Sequence, residues 1–140
     1  CCGLFGLKPS RGRAPLGPNH GEMWSGAVVG HAVTRSVRDS ATLLDAIAGP
    51  SVGDPYALPK PETPFADVVN QPVGKLRIAF TTEHPFPGHS VHPECMKAVE
   101  DAARLLESLG HTVERVPLPY QHTAMSQVFL TMVLSETGAT

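Results

Sequence analysis

The sequence predicts an α/β fold: a fragment of a mixed sheet flanked by helices, containing one parallel βαβ unit. Three observations predict it. Residues 76–81 read Leu-Arg-Ile-Ala-Phe-Thr, a short apolar strand. Residues 93–109 place Cys95, Val99, Ala102, Leu106 and Leu109 at spacings of 4, 3, 4 and 3, which is one face of a helix. Residues 111–116, His-Thr-Val-Glu-Arg-Val, alternate as a second strand does. Strand, helix and strand in that order give two parallel strands in one sheet, joined by a right-handed crossover.

The remaining elements follow in order. Residues 3–9, Gly-Leu-Phe-Gly-Leu-Lys-Pro, form an apolar extended segment whose glycines suit a closely packed backbone. Residues 10–30 hold Pro15, Pro18 and five glycines and read as loop. Ser36 then opens a helix. Its hydroxyl can accept from the amide of Asp39, a capping box with Asp in place of Glu. Val37, Ala41, Leu44 and Ala48 share one face, with Leu43 and Ile47 beside it, and Gly49-Pro50 ends the helix. Residues 50–74 carry Pro50, Pro55, Pro59, Pro61, Pro64 and Pro72, a stretch expected to run over the surface of a larger protein. Pro93 suits the first turn of the next helix and Gly110 its end. Residues 121–136 make a last helix, with Met125, Val128, Met132 and Ser135 on one stripe. There is no internal repeat.

At 140 residues and 41% hydrophobic, the chain is sized and composed for a folded domain. Its net charge is −2 and it has no Lys/Arg run, which argues against nucleic acid or an anionic membrane as partner. No apolar run reaches the ~20 residues of a membrane span. The cysteines are Cys1, Cys2 and Cys95. The adjacent pair is poorly placed for a disulfide. A reduced, cytoplasmic setting is expected.

The chemistry-bearing signal is Gly3-Leu-Phe-Gly6-Leu-Lys8-Pro9-Ser10-Arg-Gly12-Arg13. It resembles the second half of the amidase signature, Gly-x-x-Gly-Leu-Lys-Pro-Thr/Ser-x-Gly-Arg. Thr34-Arg35-Ser36-Val37-Arg38-Asp39 resembles that family's Thr/Ala-Arg-Ser/Thr-Val-x-Asp, and the helix after it ends in Ala48-Gly49 as the family's does. The resemblance implies a partial amidase-signature domain over residues 1–140. It also implies hydrolysis of a carboxamide to acid and amine, without metal or cofactor. The family works through a serine nucleophile, a bridging serine and a lysine base, all preceding the segment that matches residues 3–13. The catalytic groups are therefore expected upstream of Cys1, and this chain alone is expected to be inactive. A hydroxyl attacks only when a base takes its proton, and a lysine can be that base only where burial lowers its pKa.

In this reading Gly3, Gly6, Lys8, Pro9, Gly12, Arg13, Arg35 and Asp39 are structural residues of the signature. Lys8 is not the base, which the family draws from an earlier segment. Asp39 is a helix N-terminal charge. Trp24, in a glycine-rich loop, is a candidate wall of the substrate pocket. Where many members carry Gly-Pro before the Thr/Ala-Arg element, this chain has His31-Ala32. That departs from glutamyl-tRNA amidotransferase A subunits, the alternative within the family. Gly17-Pro18, Gly21-Glu22-Met-Trp24-Ser-Gly26 and His31 are similar instead to the branch containing the 6-aminohexanoate cyclic-dimer hydrolases.

Two readings from other classes start from Cys1: an N-terminal-nucleophile hydrolase whose own amine activates the thiol, or a lipidated binding module. Both require Cys1 to be a processed terminus. His84, His89, His92 and Cys95 offer four potential zinc ligands without a standard finger spacing, so no metal is assigned. The expected partner is a small-molecule amide, with a homo-oligomer allowed in the full-length parent.

Overall fold

The computed structural model describes every residue except Cys1, Asn19, Ala57, Pro87, Gln121, Ala139 and Thr140, and describes His122 by its backbone. The protein is mixed α/β, with two small sheets and four helices among the described residues, in two compact units, Cys1–Pro72 and Val73–Thr140.

In the first unit β1 (Phe5–Gly6) pairs antiparallel with β2 (Val33–Thr34), Phe5 opposite Thr34 and Gly6 opposite Val33. Helix α1 (Val37–Ile47) follows at once. Its cap is the expected one: Ser36 Oγ accepts from the Asp39 amide at 3.1 Å. Ala41, Leu44 and Ala48 are buried as their spacing predicts, and Ser40 is buried with them. Val37, Leu43 and Ile47 are exposed. The buried stripe of α1 is therefore narrower than its apolar arc and includes a serine that no hydrophobic pattern marks. The Pro-rich stretch contains one helical turn, α2 (Phe65–Val68), packed on α1.

In the second unit β3 (Arg77–Phe80) pairs parallel with β4 (Thr112–Arg115), and α3 (Pro93–Ser108) lies between them in sequence and packs against β4. The register runs from Arg77 opposite Thr112 to Phe80 opposite Arg115. Gly110 ends the helix as expected. It sits at φ +91°, a conformation glycine takes without a Cβ clash. The His111 amide reaches back to Leu106 O at 3.2 Å, which closes a Schellman-type end.

The predicted packing face of α3 is corrected. Ala103 is buried and Met96, Glu100 and Leu106 are half-buried, whereas Cys95, Val99, Ala102 and Leu109 are exposed. Apolar residues cover a wide arc of this helix, and the two strands cover only one edge of it. Periodicity fixes the arc but not which edge is covered. The last helix, α4 (His122–Gly138), is corrected likewise: Met125, Val128 and Ser135 are exposed, and Ser126, Met132, Val133 and Glu136 are half-buried. Its apolar residues run round the whole helix, so no single stripe was there to be read. The proposed first residue of that helix, Gln121, lies outside the described residues.

Candidate functional site

The signature loop follows β1. Pro9 is buried, and the Arg13 amide donates to Ser10 O at 3.0 Å, closing a turn through Gly12. Arg13 connects three segments. Its carbonyl accepts from the Gly49 amide (3.2 Å) at the end of α1. Its guanidinium donates to Pro59 O (2.8 Å) and lies over the Phe65 ring, 5.7 Å from the centroid. Two carboxylates extend this pattern. Asp45 accepts from the amides of Phe65 and Ala66 (2.7 and 2.9 Å), capping α2 from α1. Asp54 accepts from Gly17 and Ser51 (3.0 and 2.8 Å). Each satisfies main-chain donors that a loop would otherwise leave to solvent.

Arg11 sits at the unspecified position of the signature. Its Nε donates to Gly26 O at 2.9 Å, and its guanidinium lies over Tyr56, 5.4 Å from the ring centroid. The Tyr56 hydroxyl donates to Glu22 Oε2 at 3.3 Å. Beside this group is a recess with Ala14, Pro15, Leu16, Val28 and Val29 in its walls and Arg11 and Glu22 at its edge.

The signature residues thus divide. Pro9, Gly12 and Arg13 join the loop to the rest of the first unit. Gly3, Lys8, Arg35 and Asp39 face solvent, and the side chains of Lys8 and Arg35 have no polar partner among the described residues. The expected close packing at Gly3 and Gly6 is not found: a Cβ on either would meet nothing within 4 Å. Trp24 is half-buried in a short 3-10 turn, Trp24–Gly26.

Two side-chain groups could suggest chemistry. His31 Nε2 lies 2.7 Å from Ser40 Oγ, the spacing of a base and a nucleophile. But Ser40 is 1% exposed, so no substrate can reach its hydroxyl, and the pair works as a brace between β2's approach and α1. His31 Nδ1 is buried without a partner among the described residues. In the second unit the rings of His84 and His89 lie 5.1 Å apart, while His92 Nδ1 accepts from the Glu94 amide (3.3 Å) as the cap of α3. Cys95 is exposed, not on a packed face. Among the described residues no three His, Cys, Asp or Glu gather as a metal site would require. Cys1, on which the two terminal-cysteine readings depend, lies outside the described residues. No helix among the described residues is long and apolar enough to cross a membrane.

The residues missed by sequence reasoning are Arg11, Glu22, Tyr56, Asp45 and Asp54. Arg11 occupies a position the signature leaves open, and the others lie in glycine- and proline-rich stretches or on a helix flank where a lone acid carries no pattern. His31 was visible only as a departure from Gly-Pro.

The amidase family model matches residues 1–140, and the chain belongs to that family. It is 39% identical over 114 residues to the 6-aminohexanoate-cyclic-dimer hydrolase of Pseudomonas sp. (strain NK87), which covers 80% of this chain and 23% of that protein. It is 41% identical over 116 residues to the putative amidase AmiB2 of Mycobacterium tuberculosis (strain ATCC 25618 / H37Rv), covering 80% of this chain and 22% of that one. Among solved structures, 6-aminohexanoate cyclic dimer hydrolase complexed with substrate superposes with a TM-score of 0.70 at 39% identity, over 82% of this chain and 24% of that one. A bacterial aryl acylamidase of the amidase signature family gives 0.72 at 28% identity, over 98% and 28%. The chain thus spans about a quarter of the length of the relatives it matches.

Proposed function

We propose that this chain is the scaffold section of an amidase that hydrolyses carboxamide C–N bonds with a serine nucleophile encoded upstream of Cys1. Residues 1–140 are then a partial amidase-signature domain, and the β3–α3–β4 unit is one piece of its larger mixed sheet. The observation that carries this reading is the register of Gly3, Gly6, Lys8, Pro9, Gly12 and Arg13, within a family match that runs the length of the chain. In this reading the serine and the lysine base precede residue 3. Consistent with this, in the His31–Ser40 pair the Ser40 hydroxyl belongs to a residue only 1% exposed.

In this reading the signature residues act structurally. Arg13 and Gly12 hold the loop that follows the nucleophile, Asp39 places a negative charge at the start of α1, and Trp24 forms a wall of the substrate pocket. Two relatives at 39% identity bear the name 6-aminohexanoate-cyclic-dimer hydrolase. The substrate class proposed here is accordingly neutral, medium-sized amides, cyclic or oligomeric.

The test compares the 140-residue chain with the full-length enzyme on aliphatic amides, aryl amides and 6-aminohexanoate oligomers. Turnover is expected only from the long protein, and its signature serine changed to alanine should abolish it. Turnover by the short chain that survives purification and is lost in Cys1→Ala would establish the terminal-cysteine hydrolase instead. Activity confined to glutamyl-tRNA substrates would establish the amidotransferase.

A further inference from the structure

Trp24, Ser25 and Gly26 hold three consecutive left-handed backbone conformations, with φ of 51°, 49° and 76°. Glycine takes that region freely, but tryptophan and serine do so rarely. Such outliers persist only where the surroundings over-determine them, and they concentrate at ligand-binding positions. Here the turn is closed from within by Gly26 N to Met23 O (3.1 Å) and Ala27 N to Trp24 O (2.9 Å).

From outside it is closed by Arg11. The Arg11 Nε–H donates to Gly26 O at 2.9 Å. The fit is so tight that a Cβ on Gly26 would lie 2.7 Å from the guanidinium carbon of Arg11 and 2.7 Å from Glu22 Oε1. Tyr56 covers the guanidinium and donates to Glu22. One side chain thus unites the signature loop, the 22–26 turn and the Pro-rich stretch. The Nε of Arg11 is engaged by a carbonyl and its guanidinium by a ring, which ties the arginine to the turn. That turn carries the sole tryptophan of the chain, half-buried and in part open to solvent.

We propose that Arg11 is a positioning residue: by fixing the left-handed turn at residues 24–26 it sets Trp24 as the group that selects apolar, medium-sized acyl portions of the amide substrate. This rests on the amidase reading above. An indole held in one orientation offers a rigid apolar face to methylene or aryl groups at little entropic cost, while a turn released from its arginine lets that face wander. Truncating either residue should therefore weaken binding of large apolar amides more than that of the smallest amide.

The experiment uses the full-length enzyme and compares wild type, Arg11→Ala, Arg11→Lys, Trp24→Phe and Trp24→Ala on a bulky apolar amide and on acetamide. Arg11→Ala and Trp24→Ala are expected to lower the bulky-to-acetamide ratio of kcat/KM by about tenfold, mainly through KM for the bulky amide. Acetamide kcat/KM should fall by a smaller factor than that of the bulky amide, and the ratio reads the difference. Arg11→Lys keeps a donor for Gly26 O and Trp24→Phe keeps an aromatic face, so both should fall between. Equal losses on the two amides in Arg11→Ala would reduce Arg11 to a stability role and overturn the proposal, as would an unchanged ratio in Trp24→Ala. Should Arg11→Ala fail to fold, Trp24→Ala decides, because a half-exposed side chain tolerates truncation. A wild-type enzyme inert toward every amide would overturn the amidase reading and this proposal with it. An active wild type with an unchanged ratio in the variants overturns this proposal alone.

Discussion

The two compact units are held together by different means. In residues 1–72 the buried residues are mostly small: Ala14, Thr34, Ser40, Ala41 and Ala48, with Pro9, Leu44 and two glycines. The loops are then fixed by polar side chains that reach far along the chain to main-chain atoms: Arg11 to Gly26, Asp45 to Phe65 and Ala66, Arg13 to Pro59 and Asp54 to Gly17. In residues 73–140 the side-chain pairs are mostly short-range, and only Thr82 and Ala103 are buried among the described residues. Large apolar groups stay in solvent in both units, Val33 at 66% and Val52 at 94% exposed in the first, Leu109 at 64% and Leu134 at 67% in the second. The first unit is thus fixed by long-range polar ties around a small core, and the second has fewer buried residues and mostly local ties.

This contrast predicts where substitutions hurt most. Leu44 is 4% exposed at the centre of the first unit, and Leu44→Ala should cost about 2–5 kcal/mol in denaturant melts of the intact enzyme. Ser40→Ala should follow, at about 1–3 kcal/mol, because it leaves the buried His31 ring with neither nitrogen paired. Asp45→Ala should cost about 1–2 kcal/mol by uncapping α2. In the second unit Leu106 is only half-buried, so Leu106→Ala should cost about 1 kcal/mol. A Leu106 loss as large as that at Leu44 would mean that α3 is packed as tightly as α1, and the contrast would fail.

The same division explains what could be read in advance. The Ser36 cap, the Gly110 stop and the strand–helix–strand order are local, set by residues within a turn of each other, and the structure has them where the sequence puts them. The packed edge of α3 was not legible, because Ala103 and Leu109 are both apolar and only the position of β4 separates them. Arg11 was not legible because its partners, Gly26 and Tyr56, lie in loops where neither spacing nor periodicity links them to it. The close approach expected at Gly3 and Gly6 failed for a related reason: a glycine permits close packing but does not supply the neighbour.

The smallest effect expected is at Asp101, where the second unit's polar pairing is wholly local. Asp101 on α3 accepts from Lys97 Nζ at 2.6 Å, one turn before it, and from Arg104 after it. The hydrogen bond from Lys97, and next that from Arg104, hold its carboxyl below the ordinary carboxylate range. The sign follows from which state binds the proton more weakly. A carboxyl whose folded pKa is depressed adds stability that is fully present above its unfolded pKa and is lost as the pH falls through the folded one. Acidification should therefore weaken α3 first at its outer face. Asp101→Asn should flatten the acid side of the stability profile without altering it near neutrality beyond the loss of the pair. All three side chains are exposed, so the effect should be small and should shrink further with added salt, which screens solvated pairs more than the part-buried Asp45 ties of the first unit. Carboxyl-resolved NMR titration at low and high salt measures it. A depressed Asp101 titration that persists undiminished in high salt would show that α3 is shielded on that face, and would set the second unit closer to the first than the comparison allows.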